Sequence, residues 1–327
     1  MDLMNEVTKR TEIFNAYWQH LLPVRDPARL YEAARHLPLG GGKRMRPVIA
    51  MLGCESVFGE QRTSLPFGAA LELIHNFTLV HDDIMDKSLV RRSLQTVHVK
   101  YGEATAILAG DLLFAKAFQA MHELTVEPDV FKELEGDLVQ CVLDICEGQE
   151  HDMDFERRKI IDEKEYLHMI SKKTGVLFQL AAKGGGRVGG GSPEEVDALA
   201  AYGMFLGLAF QIWDDYLDMS SDVAVLGKDI GNDIRNGKKT LIAVHSLARA
   251  SADQRRVLDS IYGNPKASEH EVRSVLEVFN KTGSIEYARS IAHHYNQEAK
   301  ASLDKLQDSA VRQILRALAD YAITREK

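Results

Sequence analysis

Apolar residues recur at three- and four-residue intervals along nearly the whole chain, the repeat of helices with one face turned to a core. The pattern predicts a helix over about residues 47–58, after the breaker Gly40-Gly41-Gly42. A second covers 66–85, with Ala69, Leu73, Phe77 and Val80 along it, and the pattern returns near 103–123, 129–152, 163–183 and 194–219. From about 239 to 325, charged and apolar faces alternate as helix pairs. Breaks are expected at Gly184-Gly185-Gly186, 189–192, 227–237 and Gly263-Asn264-Pro265, which carry turn chemistry. Ser192-Pro193-Glu194-Glu195 reads as a helix start: a cap, a proline at the first position, then acids in the first turn. No alternating strand pattern stands out. Long helices with short joints predict an all-α bundle, with sites built from inward-facing side chains.

Composition narrows this. The chain has 327 residues, 45% hydrophobic and 27% charged, with only eight prolines and no linker-like run, so one domain over 1–327 is expected. A net charge of -8 argues against a general nucleic-acid binder. Cys54, Cys141 and Cys146 lack zinc spacing, and an odd count suits reduced thiols; Cys141 and Cys146 are expected as small core residues. Residues 1–19 mix charged and apolar types, unlike a signal peptide. The apolar stretch around 203–213 is too short to span a bilayer, so the expectation is a soluble cytoplasmic protein without an integral membrane segment.

Two copies of one acidic word change the picture: Asp82-Asp83-Ile84-Met85-Asp86 and Asp214-Asp215-Tyr216-Leu217-Asp218. On a helix, positions i and i+4 share a face, so each word sets its first and last carboxylates side by side. Paired anions beside apolar turns require a cation. Few, hard oxygen ligands suit Mg²⁺, which keeps several waters and takes substrate phosphates as further ligands. One such word could be a solvated helix end. A second, flanked by Phe210, Ile212, Trp213 and Leu217, points to a metal-bound diphosphate. Cations gather near the breaks: Lys43-Arg44-Met45-Arg46, Arg91-Arg92, Lys172-Lys173, Lys228 and Lys238-Lys239. Arginine offers phosphate a bidentate fork and lysine a point charge, so the set could hold two diphosphates.

Taken together, Gly41-Gly42-Lys43-Arg44-Met45-Arg46-Pro47, the two acid words, Lys173-Thr174-Gly175, Phe210-Gln211-Ile212-Trp213 and Gly237-Lys238-Lys239-Thr240 resemble the trans-isoprenyl diphosphate synthases of the polyprenyl synthetase family. The resemblance implies an all-α, isoprenoid-synthase-type helical bundle around a deep central cavity, working as a homodimer. The reaction it implies is head-to-tail condensation of isopentenyl diphosphate with an allylic diphosphate. On that pattern Asp82, Asp86 and Asp214 bind Mg²⁺, three ions per active site, with Asp83, Asp215 and Asp218 as outer partners. Isopentenyl diphosphate falls to Lys43, Arg46, His75 and Arg92. The allylic diphosphate falls to Arg91, Lys173, Thr174, Gln211, Lys228 and Lys238. The Lys173 carbonyl with Thr174 and Gln211 faces the developing cation. Gln149 and Asp152 match a motif supporting the metal site, and His81 and His98 are read as structural.

Product length follows from tunnel depth. Phe77 lies about 7.5 Å along the helix before Asp82 but is turned about 140° from it, so its place in the tunnel wall comes from the resemblance. An aromatic at Phe77 with a small Thr78 resembles the archaeal-like arrangement that forms geranylgeranyl diphosphate; a farnesyl or mixed short-chain product is the alternative. Two departures stand out: Ser93 where glycine is usual, and Asp229 where proline often follows the lysine. A class I terpene cyclase would need only one diphosphate site, and a non-catalytic synthase subunit would commonly lose an acid word. Both words are intact.

Overall fold

The computed structural model describes residues 2–220 and 232–325; Lys228 and Asp229 lie outside them. Two compact units are built from interleaved stretches. The first comprises Met1–Gln140, Leu180–Ala200 and Asp304–Leu315, the second Cys141–Gln179, Ala201–Leu303 and Arg316–Lys327.

In the first unit α1 (Leu3–Trp18), α2 (Ala28–Leu39), α3 (Met45–Ser56) and α4 (Leu65–Met85) precede a two-residue hairpin, β1 (Val90–Arg91) and β2 (Leu94–Gln95). That hairpin was not visible in the apolar pattern, because two residues per strand are too few for alternation to show. α5 (Val97–Tyr101) and α6 (Glu103–Met121) follow. α4 packs along α6. The two close tightly where Gly110 meets His81, since a Cβ there would lie 2.1 Å from the imidazole Nε2. Phe67, Ala70, Leu71 and Ile74 of α4 are fully buried. α7 (Pro128–Arg157), α9 (Val176–Val188) and α10 (Pro193–Ser220) each give residues to both units.

The break expected at Gly184-Gly185-Gly186 does not occur: all three lie inside α9. A Cβ on Gly185 would sit 2.1 Å from the Ala50 carbonyl oxygen, and one on Gly184 equally close to the Phe67 ring. The glycines serve close packing against α3 and α4, a long-range need that local turn statistics misread. The start at Ser192 is as expected: Glu195 N–H donates to Ser192 Oγ, and Ser192 N–H to Glu195 Oε2. Reciprocal caps also open the helices after Asp162, Ser251 and Ser268, each contributing about 1 kcal/mol.

In the second unit α8 (Glu163–Ile170) runs into one π-helical turn, Ser171–Gly175, before α9. The core around the end of α10 includes Tyr166, Ile170, Ile212, Trp213, Ile242 and Phe279. The helices Leu241–Arg249, Glu269–Lys281 and Ser284–Ser302 supply its other walls.

One expectation is corrected: Cys146 is exposed, although Cys54 and Cys141 are buried. Glu103–Met121 and Pro193–Met219 are long and apolar enough to cross a membrane by length and composition alone, a test that core helices also pass; 44% and 61% of their apolar windows are buried inside the fold.

Candidate active site

The first acid word closes α4. Asp83 is fully buried, whereas Asp82 is half-buried and Asp86 exposed. Burial raises the Asp83 pKa, and the Arg91 guanidinium pulls against it, donating from Nε to Asp83 Oδ1 at 2.7 Å. Arg91 stands on β1, and the hairpin turn that follows holds Arg92 at φ 52° and Ser93 at φ 62°, both left-handed. This explains the departure at Ser93: glycine is the residue that adopts this conformation without strain. The turn brings Arg92 to the glycine segment, where it donates to the Gly41 carbonyl at 2.5 Å. A Cβ on Gly42 would meet its guanidinium at 3.0 Å.

Lys43 follows that segment, exposed, and Arg46 sits in the first turn of α3. His75 feels both ends of this cluster. Burial, then the charges of Arg46, Arg92, Arg91 and Arg44, hold its pKa well below the usual imidazole range. Arg46, His75 and Arg92 therefore belong to one basic region of the first unit, with Lys43 next to it in sequence. Arg44 is scaffold: it pairs with buried Glu72 at 2.6 Å, donates to the Pro38 carbonyl and stacks over Trp18.

Phe77 meets His81 with ring centroids 4.9 Å apart and Phe114 at 5.4 Å, and Phe114 meets Phe118 at 5.2 Å. An aromatic row thus runs between α4 and α6. Thr78 beside it is half-buried, its hydroxyl turned back to the His75 carbonyl at 2.8 Å. Phe114 and Phe118 escaped the sequence reading, since only the packing of α6 on α4 joins them to Phe77. His81 Nε2 lies against the Ile107 carbonyl at 3.2 Å.

The second word lies near the end of α10. Asp215 is 2% exposed, Asp214 half-buried and Asp218 exposed. Burial pushes the Asp214 pKa up to about 6, with Arg325 opposing. Asp215 accepts from the Tyr166 hydroxyl at 2.8 Å, the Gln211 amide at 3.2 Å and Lys238 Nζ at 3.4 Å. That carboxylate, with Asp233, holds the Lys238 pKa well above the usual lysine value. Lys173 Nζ reaches Asp152 at 2.5 Å, and the Thr174 hydroxyl donates to Gln211 Oε1 at 3.0 Å. Asp152, Lys173, Thr174, Gln211, Asp215 and Lys238 line one small cavity of this unit, about 40 Å³. The π-turn presents Lys173 and Thr174 there, and it can do so because α7 has Gly148 beneath it: a Cβ would lie 2.4 Å from the Lys173 nitrogen.

Three further residues were not singled out from the sequence. Tyr166 anchors Asp215, as above. Tyr262 donates its hydroxyl to the Lys238 carbonyl. Arg325 stacks 3.7 Å over the Phe210 ring and donates to the Phe210 carbonyl and to Asp214 Oδ1. Their separations along the chain (49 residues from Tyr166 to Asp215, 111 from Asp214 to Arg325) leave no local signal.

The donor chemistry fits Mg²⁺. Each word offers carboxylate oxygens at least partly open to solvent (Asp82 and Asp86; Asp214 and Asp218) while its second carboxylate is tied to protein donors. Mg²⁺ needs only one or two carboxylates, completing its shell with water and phosphate oxygens. A cation would also favour the ionised Asp214 carboxylate against the burial that raises its pKa.

The chain matches the polyprenyl synthetase family over residues 27–279. It is 43% identical over 326 residues to a geranylgeranyl diphosphate synthase of Methanosarcina mazei, covering 100% of this chain and 99% of that protein. A geranylfarnesyl diphosphate synthase of Natronomonas pharaonis is 36% identical, over 98% of this chain and 96% of that one. The crystal structure of a geranylgeranyl pyrophosphate synthetase from Pyrococcus horikoshii superposes with a TM-score of 0.95 at 40% identity, covering 99% and 98% of the two chains. The all-α fold and the ordered motifs agree with these likenesses, and the chain is a prenyltransferase belonging to the polyprenyl synthetase family.

Proposed function

We propose that this protein condenses isopentenyl diphosphate head to tail with allylic diphosphates to give geranylgeranyl diphosphate, residues 1–327 acting as one catalytic domain in a cytoplasmic homodimer. The observation that carries the reading is the shared build of the two acid words: solvent-accessible outer carboxylates around a buried second carboxylate bonded to the protein. The twenty-carbon product is supported by Phe77 in its aromatic row beside the small Thr78, and by the names of the Methanosarcina and Pyrococcus relatives.

The difficult event is cleavage of the allylic carbon–oxygen bond, which leaves a cation beside diphosphate. Bound Mg²⁺, three ions per site on the family pattern, would supply Lewis-acid neutralisation of the leaving group. Asp82, Asp86 and Asp214 would hold the ions, with Asp83, Asp215 and Asp218 supporting them. Arg91, Lys173, Lys228 and Lys238 bind the allylic diphosphate and stabilise charge growing on it. Thr174, Gln211 and the Lys173 carbonyl present neutral oxygens to the cation, which stabilise it without capturing it. Lys43, Arg46, Arg92 and neutral His75 hold isopentenyl diphosphate. Its double bond attacks the cation, and the released diphosphate takes the proton, so no protein base is needed.

The test supplies the purified protein and Mg²⁺ with each allylic diphosphate, with and without isopentenyl diphosphate. Elongated prenyl diphosphate formed only when both substrates are present is expected. A hydrocarbon made from the allylic substrate alone would assign a cyclase, and no turnover of either would assign a non-catalytic subunit.

A further inference from the structure

Tyr166 reaches the second acid word from α8 and is 1% exposed. Its hydroxyl donates to Asp215 Oδ2, while Asp215 Oδ1 accepts from the Gln211 amide nitrogen. That bond fixes which way Gln211 faces: with the nitrogen on Asp215, the amide oxygen must turn to Thr174, and the Thr174 hydroxyl donates to it. A hydroxyl whose hydrogen is committed presents only lone pairs elsewhere. The direction of every bond in the series Tyr166–Asp215–Gln211–Thr174 is thereby determined. The carboxylate is oriented as well, because the phenol claims its Oδ2 while the Gln211 amide and Lys238 claim its Oδ1.

We infer that Tyr166 is a positioning residue, fixing the orientation of the Asp215 carboxylate so that Thr174 and Gln211 keep their oxygen lone pairs directed at an electron-poor reaction centre. It rests on the prenyl-transfer reading above and adds a residue outside the matched motifs. Without the phenol hydroxyl, Asp215 Oδ2 loses the donor it has here, the carboxylate can rotate away from the Gln211 amide, and Gln211 is free to turn its N–H groups where oxygens are needed. An allylic cation so placed is captured more often by water, giving a prenyl alcohol, diphosphate and a proton, in competition with attack by the isopentenyl double bond.

The experiment compares wild-type protein with Tyr166→Phe, measuring condensation rate and the ratio of prenyl alcohol to elongated product. The expected result is a condensation rate down about tenfold together with a severalfold higher alcohol ratio. A lower rate with an unchanged ratio would mean only less active protein and would overturn the inference, as would an unchanged rate. If Tyr166→Phe does not fold, Asp215→Asn probes the same series, because an amide in place of the carboxylate lets Gln211 reverse. The raised ratio is expected there too, and its absence rejects the inference. Condensation by wild-type protein in the same series separates failure of this inference from failure of the underlying reading.

Discussion

The two acid words share a spelling but are anchored differently. At the end of α4, Asp83 is held by one cation, Arg91, on a two-residue strand ahead of a left-handed turn. Near the end of α10, Asp215 is held by the buried Tyr166 phenol from α8, the Gln211 amide from its own helix and the Lys238 ammonium. In both, the second carboxylate of the word is the buried one, because consecutive helical residues point about 100° apart and only one can face the core. The first word thus depends on the Arg91 ion pair, the second on a buried hydrogen-bond network. Under the proposed function their outer carboxylates share one task on these different supports.

The largest effect that could break this comparison is on the outer carboxylates. Asp82→Ala and Asp214→Ala should each reduce turnover by about a thousandfold or more, the several kcal/mol a Lewis acid supplies, with circular dichroism and melting temperature near wild type. Full activity in either would show that the two words do not share a task. Next comes the anchor of the first word. Arg91→Ala leaves Asp83 buried without its cation, and denaturant unfolding should show a loss of about 1–3 kcal/mol. An unchanged midpoint would mean that the ion pair is not the support inferred here. The smallest effect concerns the turn behind Arg91. Ser93→Gly removes a side chain from a φ of 62° and should stabilise by about 0.5–1 kcal/mol; destabilisation would show that the serine relieves strain by some other contact.

Much of this was legible in the sequence for a physical reason. Helical periodicity records burial, so α3, α4, α6, α7 and α10 lie close to where apolar spacing sets them. The i, i+4 carboxylates were legible because helix geometry alone relates them. What stayed hidden needed contacts distant in sequence. Tyr166 looks like any core aromatic until α8 is laid beside α10. Arg325 looks like a solvated end until it stacks on Phe210. Gly184-Gly185-Gly186 looks like a turn because glycine permits both a bend and a close approach, and only the Ala50 and Phe67 neighbours tell which. The strands at Val90–Arg91 and Leu94–Gln95 are too short for any period. Lys228 and Asp229 lie outside the described residues, and their expected roles remain proposals from the resemblance.

The central claim, a short-chain synthase whose tunnel is closed near Phe77 and Thr78, is tested most directly by resolving product chain lengths from wild-type protein and Thr78→Phe in parallel. The account predicts a linear twenty-carbon diphosphate from the wild type and a shorter one from the variant. A wild-type product of another length, or the same length from both proteins, would contradict it.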